Sequence, residues 1–181
     1  RARTYATGKM PSSIVTHTYF IGSELKSAYN TIPVISLVSD EKHLFSDSAG
    51  IYVPGYSQIN YRYDWKRPAH IDFFNENGEL KISQEVEIKN QGTTSPKSPQ
   101  KGLHIIARDK YGIGTIDYPL FENSKSKANK LTSFKRFMIR AWGTILNHGM
   151  VNDALAQTSY AKSSLDIQDY RPTIVFINGE Y

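Results

Sequence analysis

Two strand-like segments on either side of an Asn-Gly pair restrict what this chain can fold into. Residues 69–74 and a second run that ends at about Lys89 have the apolar spacing of strands, and Asn77-Gly78 lies between them. Asn-Gly is typical of tight β-hairpin turns because both residues tolerate positive φ. The near-continuous apolar run at residues 32–40 predicts a buried strand. The chain is therefore expected to be built around a sheet.

Shorter elements complete the predicted pattern. Strands are expected at residues 50–53, 103–109 and 171–177. Asp40 is expected to cap a short helix at residues 41–45. Together with the hairpin, these elements predict an α+β fold that consists mostly of antiparallel strands.

Two segments nearer the C-terminus have helical spacing. Residues 134–146 suit a helix, but residues 137–140 also suit a short buried strand, and both interpretations stay open. From about His148 the spacing predicts a helix with one apolar face. The members of that face are Met150, Val151, Ala154, Leu155 and Thr158.

The first 22 residues resemble the end of a β-domain in their pattern. Residues 1–6 and 13–21 alternate as the two strands of a hairpin do. An isolated hairpin is marginally stable, so the rest of such a domain is expected upstream of Arg1. The polar stretch 22–31 then predicts a linker.

A second hairpin signal stands at the C-terminus. Asn178-Gly179 follows a predicted strand, and the chain continues only to Tyr181 after it. We therefore expect residues 32–181 to be the N-terminal part of a domain that is truncated at Tyr181.

Composition excludes several chemistries and leaves the partner open. The 181 residues include no cysteine, which excludes disulfides, cysteine-ligated zinc and thiol catalysis. The five histidines are scattered, with no spacing typical of a metal site. The formal net charge of +5 fits an anionic partner and an ordinary soluble surface equally well. No apolar run approaches the roughly 20 residues that span a bilayer.

The segment NQGTTSPKSPQKG, residues 90–102, interrupts the strand pattern. It concentrates glycine, proline, lysine and hydroxyl residues between two predicted strands. The backbone N–H groups of such a loop can face a phosphate, and the candidate contacts are Gly92, Lys97 and Lys101. The segment lacks the spacing of a Walker A loop, so spacing alone favours a solvated connection.

Other polar residues are weaker candidates. Asp72, Glu85 and Glu87 alternate along predicted strands, as residues of a solvated sheet face do. Arg140 lies in an apolar stretch, where a buried arginine needs a carboxylate or another anion. Aromatic residues interleaved with basic ones at 56–67 are compatible with stacking on bases or sugars, but packing at a domain edge is favoured.

Seven ordered blocks from residue 32 to residue 181 resemble one family. They read IPVISLVSDEKHLFSDSAGIYV, WKRPAHIDFFNENGEL, PQKGLHIIARDKYG, IDYPLF, FKRFMIRAWG, VNDALAQ and YRPTIVFINGEY. Their order and spacing are similar to those of the spore coat protein H (CotH) kinase family. Residues 1–21 separately resemble the end of the small β-sandwich that closes chitobiase-type hexosaminidases.

The CotH resemblance implies the N-terminal lobe of an atypical protein kinase that is secreted to the cell surface or spore coat of a bacterium. Such a kinase binds ATP with Mg²⁺ and phosphorylates Ser or Thr. The expected partners are ATP and a protein substrate rich in Ser and Thr, and neither DNA nor RNA.

The resemblance also implies roles for individual residues. Lys101 matches the motif lysine of the family and is the expected ligand of the ATP phosphates. Arg140 matches the family arginine, as a second anion contact or a structural ion pair, and Asp153 is a candidate partner for one of these cations. Pro96 stands where the family has arginine, and Lys97 is expected to take over that charge.

The metal-binding and catalytic acids are expected beyond Tyr181. The resemblance thus implies that this chain contributes ATP-phosphate binding without the catalytic residues. The alternative is a non-catalytic extracellular or cell-surface binding module with a kinase-like fold, which the proline at position 96 favours. A carbohydrate-associated domain is a third interpretation, supported only by the upstream resemblance and the aromatic residues.

Overall fold

The computed structural model describes residues 1–22, 29, 31–92, 95–121, 131–141 and 151–181. The strands are β1 Val34–Val38, β2 Arg67–Phe74, β3 Leu80–Asn90, β4 Leu103–Ile106, β5 Ile116–Asp117, β6 Ser133–Phe134, β7 Arg136–Ile139 and β8 Ile174–Ile177. The helices are α1 Glu41–Phe45 and α2 Asn152–Ser159, with short 3-10 turns at Asn60–Arg62, Ser95–Lys97 and Asp109–Tyr111.

Six strands form one sheet in the order β7-β4-β3-β2-β1-β8, and β5 pairs with β6 in a second sheet. The pairs β1–β2, β3–β4 and β4–β7 are antiparallel, whereas β1–β8 is parallel. This architecture confirms the predicted α+β class with mostly antiparallel strands and at least one helix.

Contacts divide the chain into two compact units. Unit 1 comprises Arg1–Val38, His70–Gln84 and Thr173–Tyr181. Unit 2 comprises Ser39–Ala69 and Glu85–Pro172.

The core of unit 1 forms where β1 and β2 pair. Ile35 lies opposite Phe73 and Leu37 lies opposite Ile71, and all four side chains are buried. Alternate residues of a strand share one face, so this pairing collects the four on a single apolar surface. Full burial of such a side chain contributes roughly 1.5–3 kcal/mol. The buried strand predicted at residues 32–40 is confirmed.

The predicted turn between β2 and β3 is also confirmed. The Asn75 carboxamide oxygen accepts hydrogen bonds from the Asn77 and Glu79 N–H groups at 3.1 and 2.9 Å. Gly78 adopts φ +75°, which glycine reaches without the steric cost that other residues have.

The expected N-terminal hairpin is wrong in extent. Residues 1–22 form one isolated bridge, between Ala2 and Val15, and no strand.

The second half of this N-terminal segment packs against β1 and β2 instead. The Thr18 hydroxyl donates to the Ser36 hydroxyl at 2.9 Å. The ring of Phe20 lies 5.3 Å from that of Phe74 in an edge-on arrangement. These contacts place the segment on the face of the β1–β2 pair that carries Ser36, opposite the apolar core.

In unit 2, residues 134–146 were open to a helix or a strand. They form a strand over Arg136–Ile139, while residues 142–150 lie outside the described residues.

The strand predicted at residues 50–53 is wrong. This segment bends, and its Ile51 N–H bonds to the His43 carbonyl of α1 at 3.0 Å. Asp40 precedes α1 as predicted but makes no side-chain capping bond.

The predicted C-terminal helix is confirmed as α2, but its apolar face is only partly covered, with Ala154 and Thr158 half-buried. Val151 and Leu155 are exposed, and Met150 lies outside the described residues. The strand predicted at residues 171–177 forms as β8 over Ile174–Ile177 and is half-buried. Asn178 and Gly179 adopt φ +51° and +88°, as a tight hairpin turn requires.

Candidate anion-binding groove

Lys101, the strongest residue of the sequence hypothesis, lies inside its own loop. Its Nζ donates to the carbonyl oxygens of Pro96 at 2.6 Å and Ser98 at 2.8 Å, and it lies 5.2 Å from the centre of the Tyr52 ring. The residue is only 9% exposed. Burial lowers the pKa of its ammonium group, because a low-dielectric surrounding disfavours charge. In this structure Lys101 organises the loop.

The other loop candidates lie at the surface. Lys97 is exposed at the end of a 3-10 turn, and Gly92 is exposed with φ +83°. Pro96 is fully buried where the resemblance expects an arginine. The loop therefore does not bring Lys97 and Lys101 onto one surface.

Arg140 and Asp153 form an ion pair between Nη1 and Oδ2. Both side chains are about half exposed, so the expectation of a buried arginine is wrong. Exposed pairs of this kind are screened by water and contribute little to stability.

Within the part of the chain that the structure describes, charged side chains gather on one face of the β3–β4–β7 strands. In β3, Val86 and Ile88 point into the core, which directs Glu87 and Lys89 to the opposite face. Strand pairing sets His104 opposite Lys89, and Arg136 opposite Ile106 on the next strand.

This face forms the wall of a groove of about 790 Å³. Its charged lining consists of five cations and one acid, Lys66, Lys89, Arg108, Lys135, Arg136 and Asp109. A smaller depression of about 320 Å³ shares Lys66, Arg108 and Asp109 with it and adds Glu87 and Lys110. We call the two together the cationic groove.

Glu87 forms ion pairs with two cations of the groove. Its carboxylate accepts from Arg108 Nε at 2.7 Å and from Lys110 Nζ at 2.5 Å. Burial alone would raise the pKa of Glu87, but the hydrogen bonds from Lys110 and Arg108 outweigh burial and lower it. The prediction that Glu87 faces solvent is wrong, since the residue is 7% exposed.

Asp64 forms ion pairs with two further cations of the groove. Its carboxylate accepts from Lys89 Nζ at 2.5 Å and from Lys66 Nζ at 3.3 Å. The hydrogen bond from Lys89, followed by that from Lys66, lowers the pKa of Asp64. The Asp64 side chain remains 67% exposed.

The remaining groove cations are Lys135 and Arg136. Within the described ranges, neither has a carboxylate partner. Burial lowers the pKa of the neighbouring His104, and the positive charges of Lys89 and Arg136 lower it further. The groove is thus a surface of net positive charge that can accept an anion.

A polar cluster in unit 1 was also missed from the sequence. Asp72, predicted on a solvated face, is 1% exposed, and its Oδ1 lies 3.0 Å from His70 Nε2. Burial alone would raise the pKa of Asp72, but the hydrogen bond with His70 and the nearby hydroxyl groups of Thr18 and Ser83 lower it. Ser83 Oγ meets the same His70 nitrogen at 3.2 Å. A catalytic triad needs the acid and the hydroxyl on different ring nitrogens, so this cluster is not one.

Two of the aromatic residues at positions 56–67 pack against each other. Tyr63 stacks on Trp65 with ring centres 4.6 Å apart. The Arg67 guanidinium covers Trp65 at 4.7 Å and donates twice to the Ala49 carbonyl.

Across the described residues, no three His, Asp or Glu side chains come together to hold a metal ion. None of the described helices is long and apolar enough to cross a membrane.

Comparison of the chain with protein-family models, with curated proteins and with solved structures finds no match.

Proposed function

We propose that this chain binds the phosphate groups of ATP in the cationic groove, as part of a secreted Ser/Thr kinase related to the CotH family. The observation that carries the proposal is the presence of Lys135 and Arg136 on the groove without carboxylate partners in the described residues. Phosphate oxygens would supply the missing negative charge.

The strand geometry suits a chain of phosphates. Lys89 and Arg136 are carried by strands that both pair with β4, so their backbone positions do not depend on the ligand. A hydrogen bond from a charged donor contributes about 1.5–3 kcal/mol when its partner is well placed.

The proposal moves phosphate binding away from Lys101, which supports the neighbouring loop. ATP supplies the phosphoryl group, and a Ser/Thr-rich protein is the acceptor that the CotH resemblance implies. The described residues bring no set of carboxylates together for Mg²⁺, so we assign no step to this ion.

Titration calorimetry of this chain with ATP at low salt tests the proposal. Replacing both Lys135 and Arg136 by Ala should weaken ATP binding about tenfold or more, because two charged donors are lost. The matched control removes two exposed cations of unit 2 that do not line the groove, Lys42 and Arg62. Equal weakening in both double variants would refute a specific site.

One observation favours the alternative of a non-catalytic extracellular binding module. Among the described residues, the apolar side chains that line the larger depression are Ile106 and Ala107, and none of its lining residues there is aromatic and able to stack on adenine. A groove of this kind also suits an acidic cell-surface polymer. Binding of an anionic polymer without measurable binding of ATP would support this function over the kinase.

A further inference from the structure

Asp64 occupies the place that an anionic ligand would take beside two groove lysines. Its carboxylate contacts the ammonium groups of Lys89 at 2.5 Å and Lys66 at 3.3 Å, and both lysines line the groove. Asp64 itself lies just after the 3-10 turn Asn60–Arg62 and is not part of a strand.

The two carboxylates that neutralise groove cations differ in their surroundings. The Glu87 side chain is 9% exposed, so releasing Arg108 and Lys110 would leave a buried charge unpaired. The Asp64 side chain is 67% exposed and can turn into water, which solvates the free carboxylate. Asp64 can therefore yield its lysines to a ligand, whereas Glu87 holds its cations permanently.

We infer that Asp64 is an internal counter-ion that competes with the phosphate chain for Lys89 and Lys66 and thereby limits the affinity of the groove. This inference rests on the proposed function and adds a regulating residue to the same site. The ligand chemistry is a linear chain of phosphates, supplied either by a nucleotide or by inorganic polyphosphate.

The charged and titratable groups around Asp64 agree with this role. Lys89 and Lys66 are its hydrogen-bond partners and lower its pKa. Burial, Lys89 and Arg136 lower the pKa of the neighbouring His104, and the negative charge of Asp64 opposes this shift without reversing it. A bound phosphate chain would replace the carboxylate at both lysines. The Asp64 pKa would then rise towards its ordinary value. An NMR titration of the Asp64 side-chain carboxyl carbon measures this pKa directly.

The test measures binding of ATP and of inorganic tripolyphosphate to the whole chain and to Asp64→Asn. Removing the competitor should tighten both ligands by about threefold to tenfold at low salt, and the gain should shrink at high salt as charges are screened. An equal gain for the two ligands would assign recognition to the phosphate chain, and a gain for ATP alone would assign it to the nucleotide; either result supports the inference.

Asp47→Asn is the matched control, because it removes the same charge from an exposed residue that does not line the groove. Asp64→Ser provides a second variant, and thermal unfolding verifies that both remain folded. In a Lys89→Met background, the effect of Asp64→Asn should largely disappear.

The outcomes separate the inference from the proposed function. Binding by the wild type without a gain in either Asp64 variant would overturn the inference alone. A gain of the same size in Asp47→Asn would overturn it too, since net charge would then explain the effect. No binding of either ligand by any variant would overturn both the inference and the phosphate site.

Discussion

The loop at residues 90–102 and the cationic groove contain the same kinds of basic side chain in opposite arrangements. In the loop, Lys101 turns inward and two loop carbonyls satisfy its ammonium. In the groove, Lys89 and Arg136 project from paired strands. A loop has carbonyls free to surround a cation, whereas strand carbonyls are used by the ladder. Arg136 therefore stays available to a ligand, whereas loop carbonyls occupy Lys101 and the Asp64 carboxylate occupies Lys89.

The largest effect that tests this comparison is expected at Lys101. The variant Lys101→Met leaves the carbonyls of Pro96 and Ser98 without their donor, so the free energy of unfolding should fall by about 1–3 kcal/mol. ATP affinity should stay within about twofold of the wild type, because the groove is unchanged. Urea denaturation and titration calorimetry measure the two quantities.

Lys97→Met provides the control within the same loop. Its side chain is exposed, so its unfolding free energy should stay within about 0.5 kcal/mol of the wild type. Loss of ATP binding by Lys101→Met at unchanged stability would return the phosphate site to the loop.

A smaller effect is expected from Glu87→Gln, which frees Arg108 and Lys110. The unfolding free energy at neutral pH should fall by about 1–2 kcal/mol, a value reduced because both cations are partly exposed. The Glu87 pKa is lower in the folded chain, so its contribution is present above the unfolded pKa of about 4.3 and is lost as pH falls through the folded pKa.

Denaturation at neutral and at acidic pH measures this difference. The gap between wild type and Glu87→Gln should narrow in acid, whereas the exposed control Asp47→Asn should differ little from wild type at either pH. A gap that stays constant down to the lowest pH would show that the charge of Glu87 is not what holds the groove together.

The smallest effect is expected at the Arg140–Asp153 pair. A double-mutant cycle with Arg140→Ala and Asp153→Ala should give a coupling below about 1 kcal/mol, because both side chains are half exposed. The coupling should decrease in high salt. A larger coupling that salt does not change would contradict this expectation. It would show that water does not reach the pair, as it does not reach the buried Lys101 ammonium.

The local spacing of apolar and turn residues was sufficient to predict much of the fold. The strands β1 and β2, the turn at Asn77-Gly78 and helix α2 were all predicted, since apolar spacing and turn chemistry act over a few residues. The strand expected at residues 50–53 failed because this segment bonds to α1 through Ile51 rather than to a strand. That partner is not encoded in the local pattern.

The candidate site was harder to predict than the fold. The sequence placed Glu87 on a solvated face and Lys101 beside a ligand, and the structure buries both. A signal was present in the alternation of charge along β3 and in the basic residues of ARDK and FKRF, but their meeting depends on register.

The sequence by itself determined the central strands and helices of this protein, its α+β class and the surplus of positive charge, because spacing, turn residues and composition are local properties. The tertiary structure alone decided which charges meet. Pairing of β3, β4 and β7 in one register sets Lys89 and Arg136 on the same face, and loop carbonyls withdraw Lys101 from it. A shift by one residue would send the side chains of a strand to the opposite face, so the groove exists only in the folded sheet.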